Sequence, residues 1–238
     1  MKGTVLVTGG MRRLGKVIAD HLASVGWRVL TTSHRADAGA DIVADLTTAT
    51  GAANLFDAAC TLNGGRPPEA LVNNAALFAG TEQAIRNLNF ESPRTLTALM
   101  ADRPHGRGCV VNILDCRVLG LAANEKSDAY SAAKLDLLKA THRDAAHFAA
   151  TLRVNGVAPG PVMRPETVHE KAGTTPLGRP TPLCVAEAVA YLLSAESTSG
   201  CVIPVDGGQS LLAATVSSDS APAHRRTPAV RWSAQFVK

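Results

Sequence analysis

The sequence predicts an α/β fold, one doubly wound parallel sheet with helices on both faces, and three observations carry that prediction. Short β-branched apolar runs alternate along the chain with stretches of helical periodicity, the order of strand, crossover helix and parallel strand. A glycine-containing turn follows the first run and opens the first helical stretch. The 238 residues, 46% hydrophobic and 18% charged, suffice for a single domain with a substantial core.

Thr4 to Thr8 is too short for a membrane span and rich in valine, which suits a fully buried strand. Leu14, Val17, Ile18, His21, Leu22 and Val25 then recur at helical spacing and define an apolar helix face. Between them lie Gly9, Gly10 and Gly15. Backbone N–H groups converge at such a helix N-terminus, where the dipole is positive, and glycine lets a phosphate approach, so a dinucleotide is the expected ligand. Arg13 stands where the common fingerprint has its middle glycine. It either joins Arg12 as a solvated loop charge or offers a forked donor to a pyrophosphate or a planar polar substrate.

Val29 to Ser33 is the second strand, and it ends in hydroxyls and bases, Thr32-Ser33-His34-Arg35. An NAD site places an acid near this strand end for the ribose 2′-hydroxyl, so the pattern favours NADPH. Arg35 can hold a 2′-phosphate through a charge-assisted fork, with Ser33 and His34 as further donors. Asp37 could either orient Arg35 or repel the phosphate. Asp41 to Leu46 reads as a short strand with a polar end, and a helix follows from about Thr50 to Leu62. Gly64 to Pro68 breaks the chain before Ala70 to Val72, the fourth strand, which enters Asn73-Asn74-Ala75-Ala76. Paired asparagines bond their own backbone and suit a sharp turn that touches a ligand.

Leu88 to Met100 is helical, with Pro93 inside the pattern freeing a backbone carbonyl, and Asp102 to Gly108 is a polar turn. Cys109 to Asp115 is a fifth strand ending in a carboxylate. A helix opens after Ser127-Asp128 and puts Tyr130 and Lys134 on one face. A lysine ammonium there lowers the phenol's pKa and makes it a usable proton donor near neutral pH. Leu135, Leu138, Thr141, Ala145 and Phe148 extend that helix with an apolar face long enough for core and subunit contact. Leu152 to Val157 is the sixth strand and enters Ala158 to Val162. Met163 to Pro182 is expected to be a mobile loop, Val185 to Leu193 a helix, and Cys201 to Val205 the last strand. The domain spans 1–212, and the composition of 213–238, with Trp232 and Phe236 near its end, predicts a flexible tail.

Composition narrows the ligands. A formal charge of +4 and 4% aromatics, with no dense basic stripe, make nucleic acid a poor partner and an anionic small molecule a better one. Five cysteines, odd in number and without CxxC spacing, read as free thiols in a reducing compartment. No metal-ligand cluster, signal peptide, membrane span or lipidation motif is visible, and the cytoplasm is the expected location.

The ordered set of TGGMRRLG, the Asn73-Asn74-Ala75 turn and the Tyr130/Lys134 pair resembles the short-chain dehydrogenase/reductase family, and Asp206-Gly207-Gly208 extends the likeness to about Leu212. Arg13, Phe78 and Asp115 look like its pteridine reductase and dihydromonapterin reductase branch. The resemblance implies a Rossmann-type sheet with Gly9, Arg13, Leu14 and Gly15 at the cofactor phosphates. It places Asp45 and Leu46 against adenine, and Asn74, Ala75 and Ala76 beside the adenosine ribose. Lys134 would bind the nicotinamide ribose, and the backbone of Pro159, Gly160 and Val162 the nicotinamide carboxamide. Asn89, with Pro93, would hold a water connecting Lys134 to solvent. Phe78 would sandwich a pterin, and a homotetramer is implied. Arg164 and the long interval from Asp115 to Tyr130 depart from the pattern.

Asp115 stands where most of the family has a serine. An ionised carboxylate there repels a developing alkoxide, whereas a protonated one can pass its proton to a ring nitrogen. The expectation is therefore NADPH-dependent reduction of a pterin or folate, with Tyr130 and Asp115 handling protons and Arg13 and Phe78 holding the ring. Two alternatives stay open: a carbonyl reductase or alcohol dehydrogenase on the same scaffold, and a catalytically silent dinucleotide-binding regulator.

Overall fold

The structure, a computed structural model, describes residues 2–102, 108–119, 128–163 and 175–213. Ser127, Arg164, Trp232 and Phe236, and with them most of the expected loop and tail, lie outside the described residues. The seven strands are β1 (Thr4–Val7), β2 (Arg28–Ser33), β3 (Ile42–Val43), β4 (Ala70–Asn73), β5 (Gly108–Ile113), β6 (Leu152–Pro159) and β7 (Val202–Val205). They form one parallel sheet in the order β3-β2-β1-β4-β5-β6-β7. Helices α1 (Arg13–Ser24), α2 (Gly51–Leu62), α3 (Glu82–Arg86), α4 (Ser92–Ala101), α5 (Ala129–His147), α6 (Pro182–Ser194) and the short α7 (Gln209–Ala213) complete it. The strand order reverses between β1 and β4, and ligands bind such sheets beyond the strand C-termini at that point.

The central strands lack a polar side because both faces are covered. Val5 and Val7 point into a cluster with Ile18 and Leu22 of α1 and Val189 and Leu192 of α6. Leu6, between them, points the other way, toward Leu55 of α2 and Leu96 and Met100 of α4. That alternation along a fully buried run is the period of two expected of a strand.

Three elements differ from expectation. β5 stops at Ile113, so Asp115 lies beyond it and caps a single turn, Cys116–Val118, by accepting from the Arg117 N–H at 2.9 Å. The stretch from Leu88 is not one helix: Asn87–Glu91 is a π-turn joining α3 to α4, and Pro93 sits at the start of α4, where it costs no hydrogen bond. On α5 the buried stripe is Tyr130, Ala133, Lys134, Leu137, Ala140, Thr141, Asp144 and Ala145. Thr141 and Ala145 are buried as expected, whereas Leu135 and Leu138 are only half-buried and the core positions beside them are Lys134 and Leu137.

Candidate active site

The turn between β1 and α1 is packed so closely that glycine is the only residue it admits at two points. Gly9 has φ +65°, and a Cβ on Gly15 would lie 2.1 Å from the Gly9 carbonyl oxygen and 2.4 Å from Asn74 Nδ2. Asn74 holds the turn from β4, donating through Nδ2 to the carbonyls of Thr8 (2.9 Å) and Gly9 (3.3 Å). Its N–H and that of Ala75 both donate to Thr8 Oγ1. Arg12 stands at the N-cap of α1 without a side-chain cap, so the helix end keeps donors for an anion. Arg13 follows with φ +49°, a conformation costing a non-glycine residue about 1 kcal/mol, and its side chain is exposed.

A cleft of about 290 Å³ runs from this turn along the ends of β2 and β4. Of the residues expected to hold the dinucleotide, Gly9, Ser33, His34, Arg35, Leu46 and Ala75 line it. Arg12 and Thr32 line it as well, as do Met11, Ala38, Ala44 and Leu88, which nothing in their spacing singles out. Arg13, Leu14, Gly15, Asn74, Ala76, Pro159, Gly160 and Val162 are not part of its wall. Gly15 and Asn74 instead shape the turn, and Gly160 packs where a Cβ would come within 2.7 Å of Asp206 Cα. Asp45 lies outside this wall, and its carboxylate accepts from the N–H and hydroxyl of Thr47 at 2.9 and 2.7 Å and closes the turn before α2. Those same bonds hold its carboxyl below the usual range. Asp37 lines the cleft and forks Arg35, with Nε to Oδ1 at 2.9 Å and Nη2 to Oδ2 at 2.6 Å.

Beyond the tips of β4 and β5, side chains from four segments converge. Tyr130 donates its hydroxyl hydrogen to Asp115 Oδ2 at 3.3 Å. Arg117 forks the same carboxylate, with Nε to Oδ1 at 3.1 Å and Nη2 to Oδ2 at 3.2 Å. Phe78 stacks on Tyr130, ring centroids 4.4 Å apart and 27° from parallel, and stays 67% exposed. Lys134, 2% exposed, donates to the Ile113 carbonyl at 2.7 Å. Asn89 is fully buried, but its amide reaches Leu77 and Ile85 rather than Lys134. Its bonds to both the N–H and the carbonyl of Leu77 fix the backbone that presents Phe78, a role its place in a helical pattern does not announce.

Burial and the Asp115 charge push the Tyr130 phenol well above its usual range, while Arg117 pulls the other way. Lys134 donates to the Ile113 carbonyl, with its Nζ 5.8 Å from the centre of the Tyr130 ring, and burial lowers its own pKa to about 8. Burial likewise pushes the Cys116 thiol up to about 12, which makes it a poor nucleophile; its sulfur donates to Gln209 Oε1 at 3.3 Å. Arg117 escaped the sequence reading: the only signal was a base two positions after a strand-end acid, a spacing common in surface turns. Together these groups can stack against a flat ring, share a proton between phenol and carboxylate, and release it toward an acceptor beside them.

Among the described residues, no helix is long and apolar enough to cross a membrane, and no group of three or more His, Cys, Asp or Glu could hold a metal ion. All five cysteines are unpaired.

A family model described as Enoyl-(Acyl carrier protein) reductase matches residues 80–210. A granaticin polyketide synthase protein of Streptomyces violaceoruber, named as ketoacyl reductase 2, is 31% identical over 87% of this chain and 96% of its own length. The 3-oxoacyl-[acyl-carrier-protein] reductase of Mus musculus is 30% identical, covering 86% of this chain and 97% of that protein. Among solved structures, FolM alternative dihydrofolate reductase 1 from Brucella canis, complexed with NADP, superposes with a TM-score of 0.74 at 30% identity, over 87% of this chain and 94% of that one. Matches of this extent, on a sheet whose order reverses beside a glycine turn, place the chain in the short-chain dehydrogenase/reductase family.

Proposed function

We propose that the protein reduces a pterin or folate-type ring with NADPH. The observation that carries the reading is the carboxylate of Asp115 at the proton-handling position, 3.3 Å from the Tyr130 hydroxyl. NADPH, when bound, supplies the hydride. The glycine turn, the uncapped start of α1 and the Ser33-His34-Arg35 wall fit its phosphates, and the likeness to an NADP-bound FolM supports the choice. Tyr130 and Asp115 hold the proton that reaches the ring nitrogen as the C=N bond is reduced. Phe78, presented by Asn89 and Leu77, offers a stacking face to the ring, and Arg13 offers charge at the turn. Lys134 fixes the tip of β5 beneath Tyr130 and is the group placed for the nicotinamide ribose. The half-buried Leu135 and Leu138 of α5 support the homotetramer, and the cytoplasm remains the expected location.

A second reading, reduction of a ketoacyl or other simple carbonyl group, is favoured by the likeness to the granaticin and mouse ketoacyl reductases. NADPH oxidation measured side by side with a dihydropterin, dihydrofolate and a simple ketone separates the two. On the pterin reading Asp115→Ser lowers dihydropterin turnover by about 100-fold or more and spares or raises turnover of the ketone. Undiminished dihydropterin reduction by Asp115→Ser refutes the proton role, and wild-type turnover of the ketone alone favours the second reading.

A further inference from the structure

The geometry points to Arg117 as a positioning residue: its guanidinium holds the Asp115 carboxylate in place and neutralises it beside the Tyr130 phenol. The inference rests on the reading of Tyr130 as the group that moves the proton.

Arg117 grips Asp115 three ways, through its backbone N–H (2.9 Å), Nε (3.1 Å) and Nη2 (3.2 Å). Oδ2, which takes Nη2, is also the oxygen that accepts from Tyr130. The guanidinium carbon lies 5.2 Å from the centre of the Tyr130 ring, whereas Lys134 Nζ lies 5.8 Å away and is committed to the Ile113 carbonyl. The grip is built into the local chain. Cys116 and Val118 are buried on either side of Arg117, so the turn presents the arginine outward over the carboxylate that caps it.

The physical need is plain. A phenol that gives up its proton beside a bare carboxylate creates two like charges in contact, which resists ionisation; a cation on that carboxylate relieves the repulsion. Three other ionisable groups surround the carboxylate. Asp128, at the N-terminus of α5, faces Arg117 and is acidic; its carboxylate accepts from the Ser131 N–H. Asp206, beyond β7, caps the start of α7 through Gly208 and Ser210, and Cys116 lies between it and Asp115. Lys134 approaches from the core side of α5. The balance of influences on Tyr130 runs the same way, with Asp115 raising and Arg117 lowering.

Two measurements test the role. In the first, kcat, KM and NADPH affinity at neutral pH are compared for wild type, Arg117→Gln and Arg117→Lys, with NADPH binding followed by nucleotide fluorescence. Arg117→Gln is expected to lower kcat about tenfold with KM and NADPH affinity nearly unchanged, and Arg117→Lys, which keeps the charge and loses the fork, to recover most of that loss. An undiminished kcat in Arg117→Gln, or a tenfold loss in Arg117→Lys, overturns the inference, and the lysine variant decides alone if the glutamine variant does not fold.

The second measurement needs no turnover, so it also holds if every substrate fails with the wild type, the result that would sink the functional reading instead. The chain has two tyrosines and Tyr191 is exposed, so in a Tyr191→Phe background ultraviolet absorbance reports Tyr130 alone. Asp115→Asn is expected to bring tyrosinate formation into reach below pH 12. Adding Arg117→Gln to that variant is expected to push the midpoint back up by about one unit or more. Equal midpoints, or no tyrosinate in Asp115→Asn, overturn the assignment.

Discussion

Around Gly9 and Gly15 the chain is fixed by its own backbone, whereas around Asp115 and Tyr130 it is fixed by side chains reaching from one segment to another. On the nucleotide side, carbonyl oxygens, one asparagine amide and missing Cβ atoms define the turn, and little can change there without collision. On the proton side, a carboxylate, a guanidinium, a phenol and an exposed phenylalanine meet beyond the strand ends, and each could be exchanged without disturbing the sheet. A fold built this way can keep its cofactor while its substrate varies. The named relatives, ketoacyl reductases and an alternative dihydrofolate reductase, show that spread on one scaffold.

The largest effect expected from breaking the backbone side is that of Gly15→Ala. A methyl group 2.1 Å from the Gly9 carbonyl forces either the turn or the start of α1 to move. Overpacking of this kind costs about 3 kcal/mol, and a displaced turn no longer aims its N–H groups at a phosphate. Chemical denaturation and NADPH titration check the two consequences, a lowered midpoint and an affinity weakened at least about 100-fold. The Tyr130–Asp115 pair, on other segments, is expected to remain intact, so a Gly15→Ala protein with normal stability and affinity would erase the contrast between the two sides.

Lys134 joins the two sides, and its burial makes a second prediction. Its pKa falls from 10.5 to about 8 in the fold. Below about pH 8 the ammonium is charged in both states, and the cost of burying it is borne in full. Between about 8 and 10.5 the folded protein has lost the proton and the unfolded chain still binds it, so stability rises with pH across that window. The gain totals about 3 kcal/mol. Urea unfolding of the cofactor-free protein from pH 7 to 10 is expected to show that rise relative to Lys134→Met, in which it disappears; other titrating groups contribute to both proteins and cancel. Parallel pH dependences in the two proteins would mean that the ammonium is better solvated than its burial implies.

The same contrast explains what could be read from the sequence. Strand runs and the glycine turn were legible because full burial and close backbone approach each leave a residue-type signature: valine on two faces, glycine where no Cβ fits. Tyr130 and Lys134 were legible because one helix carries both. Arg117 on Asp115, Asn89 on Leu77 and Phe78 on Tyr130 were not, because each partnership depends on where a tip, a π-turn or a loop places a side chain, and spacing carries no record of that. The α5 stripe was legible at Thr141 and Ala145 but not nearer its start, where Leu135 and Leu138 look like core in a pattern while Ala133, Lys134 and Leu137 hold the buried positions.

The smallest effect sharpens the comparison, because it concerns the one part of the nucleotide side that is held by side chains. Asp37 forks Arg35 at the end of β2, with both groups largely exposed, so the guanidinium expected to meet a 2′-phosphate already has an anionic partner. Exposed ion pairs are weak, so phosphate and carboxylate can compete for the same fork. Asp37→Asn removes the competitor and a repulsive charge together, and is expected to tighten NADPH about threefold while leaving NADH nearly unchanged. The gain should fade as salt is raised, since both effects act between exposed charges. Weaker NADPH binding in Asp37→Asn would show the opposite: that the carboxylate orients Arg35 for the phosphate, and that even here a side-chain pairing, rather than backbone shape, sets which cofactor is held.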